Sequence, residues 1–285
     1  MATHRQPKVI LFDIGGVCVI SPFQSILDYE LSLGIPPGWI NYSLSKTAPN
    51  GFWHRLEKGE IPLNDAFYAG FHADLHDPAR WDAFYKVQQS KNPSLPIKVP
   101  PVPKIDERWL FNDMMTSSTA PDPWMYPALK NLRKSGKFIL AALSNTVIFP
   151  RGHPLYREDF FSEPIRSLFD VFVSSAHVGL RKPDPKIYEY ALNKVDKTAK
   201  LYAKKGKGIS LGWQDGVRPD EIVFLDDIGE NLKAAKALGF RTIKVSLGRS
   251  YEAVEELEAI TGLKLAGNRP KIPITPQLGG SKAKL

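Results

Sequence analysis

The stretch Val223-Phe224-Leu225-Asp226-Asp227-Ile228-Gly229-Glu230-Asn231 decides the fold. A run of apolar residues ends in two adjacent carboxylates, and a helical stripe of Leu232, Ala235 and Leu238 follows, up to a stop at Gly239. A second such run, Val9-Ile10-Leu11-Phe12, leads straight into Asp13-Ile14-Gly15-Gly16-Val17. In an open parallel sheet, ligands sit outside the carboxyl ends of the strands, so these two loops, far apart in sequence, can share one cleft. Asp13, Asp226 and Asp227 together then form a candidate metal site.

Working outward, apolar runs recur at 138–143, 171–173 and 242–245, with helical patterns between the later strands. One such pattern covers 126–134; others follow Ile187, Ala191, Leu192 and Val195, and Val254, Leu257 and Ile260 before Gly262. Alternation of this kind predicts an α/β fold, a Rossmann-like parallel sheet with helices on both faces. Between the first strand and the 126–134 helix lie about a hundred residues without a strand pattern, far more than the usual loop of roughly two to six. The sequence therefore predicts an α/β core from residues 1–20 and 118–265, with a helical cap inserted at 21–117. Aromatic and acidic mixtures such as Gly51-Phe52-Trp53-His54-Arg55-Leu56-Glu57 suit helices, while the proline-rich 92–103 reads as a stiff connector. An insert after the first strand hangs over the carboxyl ends of the sheet and can close the cleft.

Composition narrows the class. A chain of 285 residues, 43% hydrophobic, can bury a large core. Its single cysteine, Cys18, allows no internal disulfide and points to a reduced, intracellular setting, with Cys18 a small buried hydrophobe. No apolar run reaches the roughly 20 residues of a membrane helix, and residues 1–7 are too few for a signal or transit peptide. The end Ala283-Lys284-Leu285 is a variant of the Ser-Lys-Leu peroxisomal signal, so the expected location is peroxisomal or cytoplasmic. Residues 266–285, rich in proline and glycine, read as a flexible basic tail. The net charge of +8 is concentrated. Lys194, Lys197, Lys200, Lys204, Lys205 and Lys207 face one acid, Asp196, and residues 264–285 carry five cations and no acid. Stretch 197–220 reads as a surface excursion, and a nucleic-acid or protein partner would have to use it or the tail.

Two further strand ends turn a metal site into a phosphate site. The second strand ends in Ser144-Asn145-Thr146, a hydroxyl and a turn of amides suited to phosphate oxygens. After the third comes Gly179-Leu180-Arg181-Lys182-Pro183-Asp184-Pro185, a lysine before a proline-started helix. Taken singly, Asp226 and Asp227 read as a helix cap with a neighbouring acid, Ser144 with Asn145 as a turn, and Lys182 as a solvated loop charge. Together they supply a carboxylate nucleophile, a hard cation site, donors and a lysine, which is what phosphoryl transfer requires.

In this ordered set of motifs the chain resembles the haloacid dehalogenase-like superfamily, in particular the phosphatase domains fused to soluble epoxide hydrolase and to some acyl-CoA dehydrogenases. The resemblance covers most of residues 8–262. It implies that Asp13 attacks phosphorus and forms an aspartyl-phosphate, and that Ser144, Asn145 and Lys182 bind the transferring group. It also implies Mg²⁺ held by Asp13, the Gly15 carbonyl and Asp227, with Asp226 and Asn231 in support. The expected activity is a Mg²⁺-dependent phosphatase acting on a small phosphorylated metabolite or lipid. Gly15 departs from the family pattern, where a second aspartate usually protonates the leaving oxygen. Two consequences are open: His177 or His54 substitutes for it, or the chain is a weak or inactive pseudoenzyme serving as a binding or assembly subunit.

Overall fold

The structure is a computed structural model and describes residues 5–159 and 163–274. Five strands form one fully parallel sheet: β1 (Val9–Phe12), β2 (Ile139–Ser144), β3 (Val171–Ser174), β4 (Ile222–Asp226) and β5 (Arg241–Lys244), in the order β3-β2-β1-β4-β5. Every residue of β1, β2 and β4 is buried, as expected for strands covered on both faces. Alternate residues serve opposite faces. Ile10, Phe12, Leu140, Val223 and Leu225 pack on one side, and Val9, Leu11, Ile139, Ala141, Leu143 and Phe224 on the other. Helices α7 (Met125–Ser135) and α11 (Ser250–Thr261) cover the first face; α9 (Pro185–Lys204) and α10 (Gly229–Ala237) cover the second. The one-turn α8 (Ser175–Val178) follows β3 directly.

The strand order reverses direction at β1, whose neighbours are β2 and β4. Such a switch point opens a crevice at the carboxyl edge of the sheet. Its register sets Phe12 beside Leu225 and Ala142, so the residues that follow β1 and β4 emerge side by side.

Between β1 and α7 run six helices: α1 (Pro22–Ser32), α2 (Trp39–Thr47), α3 (Phe52–Glu57), α4 (Asp65–Leu75), α5 (Pro78–Lys91) and α6 (Glu107–Ser117). Their starts are written in capping residues: Ser21, Asn64, Asp77 and Asp106 each accept a hydrogen bond from the first helical turn. These helices bury their own aromatic cluster, with Trp39, Trp81, Phe67, Phe71 and Phe111 at its centre, and the described residues outside 22–117 contribute to it only Val147 and the partly buried Phe149. The layer is tied to the core beside α8. Ser175 Oγ donates to the Glu57 carbonyl, and Gly59, at φ 69°, sits so close to Ala176 that an added Cβ would stand 3.1 Å from its carbonyl carbon.

Two expectations need correction. The 197–220 stretch is not a surface excursion from its start: α9 runs on to Lys204, with Val195 and Ala199 buried and the lysines facing solvent, before short 3₁₀ turns seat Trp213 on the sheet. The tail is not free up to Ile274 either. Pro270 accepts a hydrogen bond from Trp124 Nε1 at 3.1 Å, and Ile274 N donates to Gly248 at 2.9 Å. Residues 275–285, with Ala283, Lys284 and Leu285, lie outside the described residues. No helix among the described residues is long and apolar enough to cross a membrane. Cys18 is buried in the core cluster.

Candidate active site

The carboxyl edge brings Asp13, Asp226 and Asp227 together, each offering an oxygen within 4.8 Å of the others. Asp13 continues β1: its N–H donates to Leu225 O at 2.8 Å, and its own Oδ1 accepts Ile14 N at 2.6 Å. Lys182, only 1% exposed, reaches in from the loop before α9 and places Nζ 2.9 Å from Asp13 Oδ2 and 2.7 Å from Asp226 Oδ2. Its ammonium also stands 5.5 Å from the Phe224 ring centroid. The loop carrying it is clasped by Asn145, whose Oδ1 accepts Lys182 N at 3.0 Å and whose Nδ2 donates to Lys182 O at 3.3 Å.

The three acids are not equivalent. Asp226 is fully buried and saturated: Oδ1 accepts Ile228 N at 2.7 Å, Oδ2 accepts Lys182, and Asn231 Nδ2 lies 3.1 Å from both oxygens. Asn231 therefore acts on Asp226, and its own carbonyl is held by Tyr188 OH at 2.9 Å. Asp227 has the opposite surroundings. Ser21 Oγ donates to its Oδ2 at 3.4 Å, Lys244 bonds its backbone carbonyl, and no cationic side chain pairs with its carboxylate among the described residues. Gly16, at φ 75°, makes room for it: an added Cβ would stand 2.7 Å from Asp227 Cγ and collide with Oδ2.

The electrostatics follow from these positions. Burial pushes the Asp13 carboxyl up to about 6, with Lys182 opposing and Asp226 adding to the rise. Burial, with Asp13 and Asp226 nearby, pushes Asp227 up to about 8. Burial alone would lower the Lys182 pKa, but Asp13 and Asp226 outweigh it and hold the ammonium above its ordinary value. Lys182 thus pairs two of the three carboxylates and leaves Asp227 over, and a divalent cation would cancel the remaining charge. The donors are all oxygen and two acids keep unsaturated oxygens, a set that fits a hard ion of the magnesium type.

Beside this cluster lies a cavity of about 520 Å³. Ile14, Gly15, Ser144, Asn145 and Thr146 line it from the core, and Pro22, Trp53, Glu57 and Met115 from the helical layer. Further apolar wall comes from Val147, Phe149, Leu155 and Ile165, with Arg157 and Arg166 at the same cavity. Gly15 and Ser144 thus line the same cavity. The two histidines do not line it. His54 lines a separate cavity of about 420 Å³ with Lys58 and Arg181, and burial together with those cations drives its pKa down to about 4. His177 lines neither cavity and bonds Ser174.

Several contacts escape sequence reading. Ser21 is visible as a helix cap, but its approach to Asp227 is not. The ion pair between Glu57 of α3 and Arg181, which itself donates to Lys182 O at 2.8 Å, joins the helical layer to the lysine loop across 124 residues of chain. The Gly15-Gly16 doublet is the one local signal that a side chain approaches closely.

Comparison with known proteins agrees with this geometry. A family model described as haloacid dehalogenase-like hydrolase matches residues 7–239. Acyl-CoA dehydrogenase family member 10 of Mus musculus is 29% identical over 263 residues, which cover 92% of this chain and 20% of that protein. Bifunctional epoxide hydrolase 2 of Sus scrofa is 27% identical over 270 residues, covering 94% of this chain and 41% of that protein. The sesquiterpene phosphatase astK of Aspergillus oryzae is 26% identical over 255 residues, covering 90% and 97%. The chain therefore spans less than half the length of the first two relatives and nearly the whole of the third.

Proposed function

The chain belongs to the haloacid dehalogenase-like hydrolases, and from that premise we propose that it is a Mg²⁺-dependent phosphatase whose nucleophile is Asp13. The observation that carries this reading is the Asp13–Lys182–Asp226 lattice beside Asp227, with whose carboxylate no cationic side chain pairs among the described residues, while Ile14 and Gly15, which follow Asp13, line a cavity with Ser144. Asp13, the Gly15 carbonyl and Asp227 would hold the ion, which supplies charge neutralisation at the phosphoryl oxygens when bound. Asp226 keeps Lys182 in place, and Asn231 keeps Asp226 in place. Lys182, the Ser144 hydroxyl and the Asn145 backbone orient the phosphoryl group against the Asp13 carboxylate. Attack gives an aspartyl-phosphate that water hydrolyses.

The helical layer of residues 21–117 acts as the cap, and the apolar wall of Trp53, Met115, Val147 and Phe149 receives the organic part of a small phosphorylated metabolite or lipid. That the full-length relative of similar size is a sesquiterpene phosphatase supports an apolar body. Gly15 carries no acid, so esters with good leaving groups suit the site best.

The test is phosphate release from acetyl phosphate and p-nitrophenyl phosphate with and without Mg²⁺, using Asp13→Asn as the control. Turnover that needs the ion and disappears in the variant is the expected result. A variant as active as the parent, or a parent inactive on both compounds, would overturn the reading and favour a binding subunit.

A further inference from the structure

One side chain of the cavity wall is joined to a titratable group at the surface. Thr146 lines the cavity beside Ser144 and Asn145. Its Oγ1 lies 2.5 Å from Ser174 Oγ, and that oxygen lies 2.6 Å from His177 Nδ1. Both distances are those of short, well-formed hydrogen bonds. The register produces the meeting: β2 and β3 pair Ser144 with Ser174, so β3 ends beside the 144–146 turn, and α8 starts at once and carries His177 three residues on. The hydroxyls are fixed in place. Thr146 N donates to Ser175 Oγ at 2.8 Å, Ala176 N donates to Thr146 Oγ1 at 3.5 Å, and Ser174 is 3% exposed. His177, in contrast, is exposed to solvent.

The polarity of such a chain is set at its titratable end. With a proton on Nδ1, His177 donates to Ser174, Ser174 donates to Thr146, and the Thr146 hydroxyl is left to donate into the cavity. With Nδ1 unprotonated, both bonds reverse and Thr146 donates to Ser174 instead. The two polarities differ by one proton delivered to the cavity.

We infer that His177, Ser174 and Thr146 form a proton relay, with Thr146 protonating the leaving oxygen of an alkyl phosphate in place of the acid that Gly15 lacks. The inference rests on the phosphatase reading above. As Asp13 Oδ bonds to phosphorus, the P–OR bond breaks and its electron pair passes to the ester oxygen. That oxygen takes the Thr146 proton, Thr146 takes the proton of Ser174, and Ser174 takes Nδ1–H from the imidazolium, leaving neutral His177 to be reloaded from solvent. Water then cleaves the aspartyl-phosphate, Asp13 is regenerated, and the sum is ester and water giving alcohol and inorganic phosphate. Burial and the nearby Arg166 lower the His177 pKa, which makes its imidazolium a readier donor.

The test compares ethyl phosphate, whose leaving group needs a proton, with acetyl phosphate, whose leaving group does not. Thr146→Val, Ser174→Ala and His177→Gln should each lower kcat on ethyl phosphate by about 10–100-fold, within the usual span of general-acid catalysis, and change acetyl phosphate turnover by less than about threefold. Thr146→Ser, which restores the hydroxyl, should recover most of the loss. A variant that merely damages the fold would lose both activities in proportion, and the acetyl phosphate rate reports this separately. Equal losses on the two compounds, or none, would overturn the relay while leaving the phosphatase reading intact. A parent that hydrolyses acetyl phosphate but not ethyl phosphate would do the same. Inactivity on both removes the reading and the relay together.

Discussion

Replacing Gly16 with alanine isolates the geometric demand that the proposed metal site places on Asp227. The new methyl group has two effects. First, Gly16 has φ 75°, in the left-handed region, where a side chain costs about 1–2 kcal/mol. In a chain of this size that lowers Tm by about 2–4 °C per kcal/mol. Second, its Cβ would stand 2.7 Å from Asp227 Cγ and 3.0 Å from Ser21 Oγ, so the carboxylate must move by about 1 Å to reach ordinary van der Waals separation. Magnesium holds its oxygens at about 2.0–2.1 Å in near-ideal octahedral geometry and tolerates no such displacement. The expected loss is about 10–100-fold in Mg²⁺ affinity, the range seen when the support of a metal ligand is disturbed.

Thermal melts across a Mg²⁺ titration read both effects. The parent should gain about 2.7 kcal/mol of stability at a hundred times its Kd, and Gly16→Ala should need correspondingly more ion for the same gain. Gly34→Ala is the control: φ there is 66°, yet an added Cβ meets nothing within 4 Å, so it carries the strain without the collision. It should lower Tm in the absence of ion and leave the Mg²⁺ midpoint where it was. If Gly16→Ala and Gly34→Ala respond to Mg²⁺ alike, Asp227 is not a ligand and the reasoning fails.

Three further outcomes follow from the same contacts. Lys182→Met removes the cation from a buried pair of carboxylates and should cost about 3–5 kcal/mol in urea unfolding, with part recovered by adding Asp226→Asn; a loss under about 1 kcal/mol would contradict the buried lattice. Asp13 and Asp227 titrate at about 6 and about 8 in the folded chain, above their ordinary 3.8, so the folded state binds more protons than the unfolded one between those values, and stability falls as pH rises. In EDTA, Tm should therefore drop between pH 5 and pH 8.5, and Mg²⁺ should restore most at the alkaline end; a flat profile would show that burial and the neighbouring acids do not raise the two carboxyls. Gly15→Asp should fit without strain, since a Cβ there meets only the Pro22 ring, Cδ at 3.4 Å and Cγ at 3.8 Å, and should raise ethyl phosphate turnover more in a Thr146→Val background than in the parent. Equal gains in both backgrounds would mean that Thr146 donates nothing.

What was legible in the sequence was whatever the chain writes locally. A buried parallel strand is a short apolar run, and a run that stops at Asp13, Ser144 or Asp226 marks the carboxyl edge directly, so the strand positions and the meeting of those residues could be read without coordinates. The second half of α9 was missed because its lysines were read as loop residues; the helical stripe is there in Val195, Ala199 and Tyr202, but at a spacing that solvent-facing charges obscure. The Thr146–Ser174–His177 chain could not be read, since it depends on which residue of β3 stands opposite Ser144, and register is a property of the sheet rather than of either strand. The expectation placed on His54 failed for the same kind of reason: its helix is visible, but the side of the lysine loop that the helix meets is not.

The unequal surroundings of the three acids explain how one cluster can be both rigid and reactive. Asp226 makes every bond its carboxylate can make and holds Lys182; the Asp227 carboxylate accepts from Ser21 alone among the described residues, which is why the proposed reading gives it to a cation. Asp13 is oriented by Ile14 N on one oxygen and by Lys182 on the other, so the direction of its carboxylate is fixed while its pKa is still raised. Arg181 extends this order outward, since it bonds the Lys182 carbonyl and the Glu57 carboxylate on α3, and Glu57 itself lines the cavity. A movement of the helical layer that changes the cavity must therefore pull on the peptide that carries the lysine, and through it on both carboxylates that the lysine bridges. On the phosphatase reading proposed above, binding of the organic part of a substrate and alignment of Asp13 would be mechanically one event, because no other described side chain offers the two acids a cation.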